Sequence, residues 1–403
     1  MSEMELYIHI PFCLKKCNYC DFLSVSADEQ SQYEYMEGLK REIAFYGSRL
    51  SGKRLDTIYI GGGTPSWMQE DYIMGLMHAV SRSFFIEKDA EITIECNPGT
   101  LTKKKLECYQ SLGINRLSIG LQSADNAELK LLGRIHTFEQ FLRNYELARE
   151  YGFSNINIDL MDSIPYQTEE KLYQTLMKTI NLRPEHISCY SLILEKGTPF
   201  YEQFKFDMVK QRAGMNTEIL PNENAVYRMG KMTQAVLAEN GYEQYEISNY
   251  AKKGYSCRHN IGYWKRVEYL GAGLGADSLL GEVRYGNIRD LQDYICKSMH
   301  IEETEILDEK QEKMIIGTNL HARASQLNQK MQMEEFMFLG FRMTEGIEKS
   351  RFYRKFGLPV DFVYQETLKK LTSEGLLIET PTRLYLTEKG MDLNNYVAAQ
   401  FLL

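Results

Sequence analysis

Three cysteines, Cys13, Cys17 and Cys20, stand within eight residues near the start of the chain, and the next, Cys96, lies far downstream. Thiols this close can ligate zinc or an iron–sulfur cluster. A structural zinc takes four ligands, usually in two pairs, and no second pair follows here. His9 is a possible fourth donor, but alternation from Tyr7 gives it an equally good place as an inward-facing strand residue. An iron–sulfur cluster usually takes four cysteines. Three leave one iron open to a small molecule, as an open zinc site accepts water or substrate.

The elements that must hold these thiols follow from periodicity. "LYIHIPF" (6–12), "LDTIYIGGG" (55–63), "AEITIECNP" (90–98), "RLSIGLQS" (116–123), "NINIDLM" (155–161) and "HISCYSL" (186–192) read as six strands. Helical spacing is predicted between them, over 29–48, 69–83, 102–112, 137–151 and 168–181. Strands alternating with helices imply βαβ units and a parallel sheet, either an incomplete barrel or an open doubly wound sheet. In such folds chemistry sits at the C-terminal strand ends. The cysteines follow strand 1 and the glycines end strand 2. Glu95 and Asn97 lie near the end of strand 3, Gln122 ends strand 4, and Asp159 is late in strand 5. Taken singly, such residues are often caps and turn formers. Their recurrence at one end of successive strands favours a shared site.

Composition narrows the class. The chain has 403 residues, 43% hydrophobic and 25% charged, with a net charge of −8. That describes an ordinary soluble globular protein and argues against nucleic acid as its main partner. No stretch is long and apolar enough for a membrane span, and "MSEMELYIHIPF" lacks a signal-peptide cleavage pattern. The expected location is the cytoplasm, where cysteines serve as thiols, ligands or core residues rather than disulfides. Cys96, Cys108, Cys189 and Cys296 read as structural.

From about residue 200 the alternation loosens. A helix is predicted over 223–240, and 242–280 is rich in Tyr and Gly. The expected units are a barrel over 1–222, a small α+β extension over 223–301, a linker plus helix over 302–333 and a winged-helix-like module over 334–403. Residues 311–330 within the linker look like an insertion. The C-terminal module carries nine Lys and Arg against ten Asp and Glu. A DNA-reading module would be basic, so this one is expected to be structural or partner-facing. "GAGLGA" (271–276) fits a dinucleotide fingerprint, but that motif needs a helix after it. Strand formers follow instead, which suits a loop at the barrel mouth.

C-x3-C-x2-C after the first strand of a βα repeat resembles the radical S-adenosylmethionine (SAM) superfamily, whose usual fold is a partial (β/α)6 barrel. "YIHIPFCLKKCNYCDF", "GGGTPS" (61–66), "ECNPG" (95–99), "RLSIGLQS", "GRIHT" (133–137) and "NIDLM" together resemble two related families, the oxygen-independent coproporphyrinogen III oxidases and the HemW-type haem chaperones. The resemblance implies a [4Fe–4S] cluster on Cys13, Cys17 and Cys20, its open iron chelating SAM. One-electron cleavage of the sulfonium would then give a 5′-deoxyadenosyl radical. It further implies that Tyr7, Tyr19, Gly62, Gly63, Thr64, Glu95, Gln122, Arg134, Asp159 and Ser191 contact or frame SAM. These residue types suit the task. Glycines admit a ligand to the backbone, arginine pairs with a carboxylate, and an aspartate accepts from ribose hydroxyls.

Three features favour the chaperone branch. The cluster motif begins after only twelve residues, Phe22 stands where the oxidases have a further cysteine, and "CRHNIGYW" (257–264) carries H-N-x-x-Y-W. The resemblance makes His259 the leading haem ligand, with Tyr263 and Trp264 packing on the porphyrin. Cys257 is the alternative ligand, and a hydrogen-bonded core histidine is the bland reading of His259. The implied cofactors are [4Fe–4S], SAM and haem, and the implied partner is an apo-haemoprotein that receives the haem. Docking on a membrane haemoprotein stays compatible with the lack of a span. No catalytic residue is assigned, and turnover of SAM is left open. The alternative function is radical oxidative decarboxylation of coproporphyrinogen propionates. Two departures stand out: Asp162 and Ser163 occupy places where these families have Tyr and Gly, and Asp277 stands where chaperones commonly have His.

Overall fold

The computed structural model describes residues 2–309 and 313–403. Residues 311 and 312 of the expected insertion lie outside them. Six parallel strands form the centre of the molecule: β1 (Ser2–Ile10), β2 (Lys53–Gly62), β3 (Phe85–Cys96), β4 (Arg116–Gln122), β5 (Ile156–Asp162) and β6 (His186–Ser191), paired in chain order. Helices cover them outside, and β4 is buried along its whole length: its apolar side packs under the helices and its polar side, with Arg116, Ser118 and Gln122, faces the inside of the barrel. The crossover helices start where the sequence supplies caps. Asp28 accepts from Ser31 N at the start of Glu29–Arg49, and Thr137 with Gln140 forms a capping box at Phe138–Glu150.

The same sheet continues on both sides. Beyond β6 it gains β8 (Asn249–Ala251) and then β7 (Glu243–Glu246), antiparallel. On the other side β9 (Tyr269–Ala272) pairs parallel with β1, followed by β10 (Asp277–Leu280), β11 (Val283–Asn287) and β14 (His321–Gln326). The twelve strands form one open sheet with β14 and β7 at its edges. The fold is a partial barrel whose extension is built into the barrel sheet.

Two stretches differ from the sequence reading. Residues 199–212 form a helix capped by Thr198. Much of 302–333 is strand: β12 (Glu303–Leu307) and β13 (Met314–Thr318) make a hairpin, and β14 follows. "ETEIL" alternates, but neither face of β12 is buried, so its pattern reads as polar linker. The C-terminal module has its own core around Phe336, Phe352, Leu371 and Phe401. Its sheet of β15 (Ile347–Glu348), β17 (Arg383–Leu386) and β16 (Leu377–Glu379) gives the winged-helix-like outline. Two short helices after the wing, Glu388–Asp392 and Asn394–Ala399, were not anticipated. Among the described residues no helix is long and apolar enough to cross a membrane.

Candidate cofactor site

At the C-terminal ends of the six strands lies a cavity of ≈ 230 Å³. The cysteine loop closes it, pinned by backbone bonds on three sides. Cys13 N donates to Val25 O at 3.1 Å, Asn18 N to Leu132 O at 3.0 Å, and Phe200 N to Asn18 O at 2.9 Å. The helix at 199–212 therefore props the loop. Gly63 N donates to Ile10 O and Thr64 N to Phe12 O, each at 2.8 Å. A Cβ on Gly63 would stand 2.7 Å from Phe12 O, so the glycine is what lets the two strand ends meet.

Cys13, Cys17, Cys20, Tyr19, Gly62, Gly63, Thr64, Glu95, Gln122 and Asp159 all line this cavity. The three thiols are free, and burial pushes those of Cys13 and Cys20 up. Among the described residues no three Cys, His, Asp or Glu side chains converge tightly enough for a single metal ion. Three thiols on one loop at the strand ends are a donor set that fits a cluster taking one cysteine on each of three irons. A chain of polar contacts links two of them. Cys13 Sγ lies 3.4 Å from Thr64 Oγ1, which accepts from Asn97 Nδ2 at 2.8 Å. Asn97 Oδ1 accepts from Arg134 Nη2 at 2.8 Å, and Arg134 Nη1 reaches Cys17 Sγ at 3.6 Å. Arg134 Nη2 also donates to Gly120 O at 2.7 Å. A guanidinium held this firmly puts a fixed positive charge beside the cysteine loop.

The far wall is acidic. Glu95 accepts from Tyr59 OH at 2.9 Å and from Gly62 N at 3.0 Å. Burial, reinforced by the nearby Asp159, raises its pKa to about 7. Asp159 accepts from Asn157 Nδ2 at 2.8 Å and Ser118 Oγ at 3.1 Å, and burial raises its pKa as well. Gln122 has φ 71° where the β4–β5 register shifts, a left-handed backbone of the kind found at functional sites. Tyr190 OH donates to Gln122 Oε1 at 3.0 Å. Asn97, which the sequence reading placed at the same strand end as Glu95, lines the cavity too, and so do Ser118, Gly120 and Tyr190, which it did not assign to the site. Period two along "RLSIGLQS" places 118, 120 and 122 on one side of β4, a signal available before the structure.

Of the other residues predicted to frame SAM, Arg134 meets the cavity wall through Cys17, Asn97 and Gly120, and two stand elsewhere. Ser191 lines a separate cavity of ≈ 440 Å³ beside the helix at 199–212. Ser163, on that cavity, has φ 59°, a left-handed backbone that glycine adopts more easily than serine. Tyr7 faces a third cavity of ≈ 490 Å³, donates to His9 Nδ1 at 2.9 Å and stacks on Tyr59. His9 Nε2 lies 2.8 Å from the Leu23 carbonyl and donates to it, which leaves Nδ1 as the acceptor.

His259 is 1% exposed and lines neither the cavity at the cysteine loop nor the one at Tyr7. Its Nδ1 lies 2.6 Å from Thr57 Oγ1 and its Nε2 3.1 Å from Tyr263 OH, and its ring stacks on Tyr59. Burial and the nearby Arg116 lower its pKa to about 3, so it is neutral. Both nitrogens are engaged, so this arrangement leaves none for an iron. Cys257 is fully buried, its thiol 3.4 Å from Glu91 Oε1. The helix Arg258–Trp264 stands with its N-terminus on Glu91, which accepts from Arg258 N and His259 N. Gly262 is needed where that helix meets Glu5, since a Cβ there would fall 1.7 Å from Glu5 Oε1. The motif's Tyr263 and Trp264, by contrast, do line the cavity at Tyr7. Gly271–Ala276 runs from β9 through a turn into β10 with no following helix, which removes the dinucleotide reading.

The radical SAM superfamily profile matches residues 7–178, and the HemN C-terminal domain profile matches 327–393. The chain is 35% identical to the heme chaperone HemW of Bacillus subtilis over 397 residues, 98% of each chain. It is 33% identical to the heme chaperone HemW of Escherichia coli over 403 residues, covering 100% of this chain and 99% of that one. Its fold matches that of coproporphyrinogen III oxidase (HemN) from Escherichia coli with a TM-score of 0.81, over 99% of this chain and 90% of the other, at 24% identity.

Proposed function

The chain belongs to the HemW family of the radical SAM superfamily, and on that premise we propose that it is a haem carrier with a [4Fe–4S] cluster on Cys13, Cys17 and Cys20 and SAM beside it. We place it in the cytoplasm, handing haem to an apo-haemoprotein. The observation that carries the cofactor reading is convergence. Ten residues chosen from motifs between positions 13 and 159 line one cavity at the strand ends. When bound, the cluster and SAM supply one-electron chemistry.

The chain's own residues do the positioning. Gly62 and Gly63 open the backbone to a ligand's amino and carboxylate groups. Arg134 supplies fixed positive charge next to Cys17, and Asp159 offers a carboxylate to hydroxyls. Glu95 ties Gly62 to Tyr59 and so keeps the glycine strand end in place. In this reading His259 is a positioning residue: it buttresses Tyr263, which faces the cavity that it does not itself reach.

The test is an anaerobic haem titration of the cluster-reconstituted protein, followed by Soret absorption. Saturable binding near one haem per chain is expected. No specific binding, together with SAM-dependent turnover of coproporphyrinogen, would replace the carrier reading by the decarboxylase one.

A further inference from the structure

The cavity of ≈ 490 Å³ at Tyr7 lies between the cluster loop, the helix 258–264 and the C-terminal module, which contributes Leu339. Its size is that of a site for a medium-sized organic ligand. Tyr263, Trp264 and Tyr269 give it aromatic walls, and Leu23 and Leu279 add apolar surface. Its polar side is dominated by arginines 266, 284 and 289. Glu335, from the C-terminal module, accepts from Arg266 Nε at 2.8 Å and pairs with Arg284 at 3.0 Å. One carboxylate thus serves two guanidinium groups and leaves positive charge over.

Donors are left over too. Trp264 Nε1, Arg266 Nη2 and Arg284 Nε are buried N–H groups with no hydrogen-bond partner among the described residues. Arg266 is 7% exposed, and its backbone is held at φ 50°. A buried donor without an acceptor is costly, and three on residues of one wall call for a ligand that brings acceptors. Of the acidic residues on the cavity, Asp277 is already paired with Arg323 at 2.5 Å, and Asp21 stands on the side of the cluster loop. Phe22 lines this cavity and the cluster cavity alike, so a ligand here sits next to the cluster site.

We propose that this cavity is the porphyrin site, with the flat ring against Tyr263, Trp264 and Tyr269 and the two carboxylate side chains held by Arg266, Arg284 and Arg289. The assignment rests on the haem-carrier reading and adds the place and the means of recognition. A planar dicarboxylate supplies what the wall lacks: acceptors for the donors and negative charge for the surplus guanidinium. Recognition by carboxylates is independent of the iron, so an iron-free porphyrin binds as well as its charge allows.

The experiment titrates the full-length, cluster-reconstituted protein with haem, with protoporphyrin IX and with protoporphyrin IX dimethyl ester, read by Soret absorption and porphyrin fluorescence. The variants are Arg284→Gln, Arg289→Gln, the double variant, Trp264→Phe, which removes the indole N–H together with one of its two rings, and Arg354→Gln as an exposed control. Protoporphyrin IX is expected to bind the double variant at least tenfold more weakly than the wild type. The diester is expected to bind both equally weakly, and the control to match the wild type. Wild-type binding of diacid and diester with equal affinity, or a double variant that holds the diacid as the wild type does, would overturn the assignment while leaving haem carriage standing. A wild type that binds no haem overturns the carrier reading itself.

Discussion

Replacing Glu95 by Gln should make the apo-protein more stable, and only above about pH 5. In the folded chain burial and the neighbouring Asp159 lift this carboxyl from the usual 4.5 to about 7. Between those values the folded protein keeps a proton that the unfolded chain has lost. Stability is therefore full below pH 4.5 and falls as pH rises through 7, by about 1.4 kcal/mol per pH unit. The total is at most about 3.5 kcal/mol, and about 2 kcal/mol once the cavity's solvent on one side of the carboxylate is allowed for. Glutamine carries no charge to penalise. Its oxygen still accepts from Gly62 N, and its amide can donate to the Tyr59 oxygen, so any change in hydrogen bonding is a pH-independent offset. The assay is urea unfolding of both proteins from pH 4.5 to 8, taking the difference at each pH so that other titrating groups cancel. The variant should gain steadily on the wild type up to pH 7 and then run parallel. A flat difference, or one opening in the opposite direction, would refute the burial argument for Glu95.

Other outcomes follow from named contacts. Gly63→Ala should displace the cysteine loop, because the new Cβ meets Phe12 O at 2.7 Å. It should cost about 1–3 kcal/mol and lower iron incorporation, whereas Gly99→Ala, with open space around its Cβ but φ +89°, should cost only its backbone strain, about 1 kcal/mol, and keep the iron. Both are checked by thermal unfolding and iron analysis. Serine at Cys13, Cys17 or Cys20 should abolish the cluster's absorption after anaerobic reconstitution, while Cys296→Ser, at an exposed position, should leave it intact. His259→Ala should cost about 3 kcal/mol through its cavity and two lost hydrogen bonds, yet leave the Soret position of bound haem unchanged. A shifted Soret band would make His259 the iron ligand after all.

Much of the barrel was legible because each crossover repeats one signal: an apolar run, a polar strand end, a capped amphipathic helix. Cys13, Gly62, Glu95, Gln122 and Asp159 could be assigned to one site because parallel strands deliver their C-terminal ends to one place. The arginine-lined cavity was not legible. Arg266 lies in the turn after the motif helix and Arg284 on an antiparallel strand, and no period links them. They share a wall with Tyr7 because β9 pairs with β1 across more than 250 residues of chain. His259 lies away from that cavity for a related reason. The motif marks the neighbourhood of the cavity, but a seven-residue helix turns one side chain inward while presenting Tyr263 and Trp264 to the opening. Strand β12 escaped because neither of its faces is buried, so its alternation has no apolar side to read.

The pairing of β1 with β9 has a further consequence for synthesis. Until residue 272 has left the ribosome, one side of the first strand made is an open row of backbone donors and acceptors. At about 5–20 residues per second that interval lasts on the order of ten seconds or more, and in it the nascent barrel offers the kind of edge that recruits other strands. Leu6 and Ile8, buried in the finished sheet, belong to that edge strand. A chain cut after residue 222 would keep the edge open for good, so such a fragment is expected to aggregate even though it contains Cys13, Cys17 and Cys20. The thiols are made first, but the strand that covers their flank is made late.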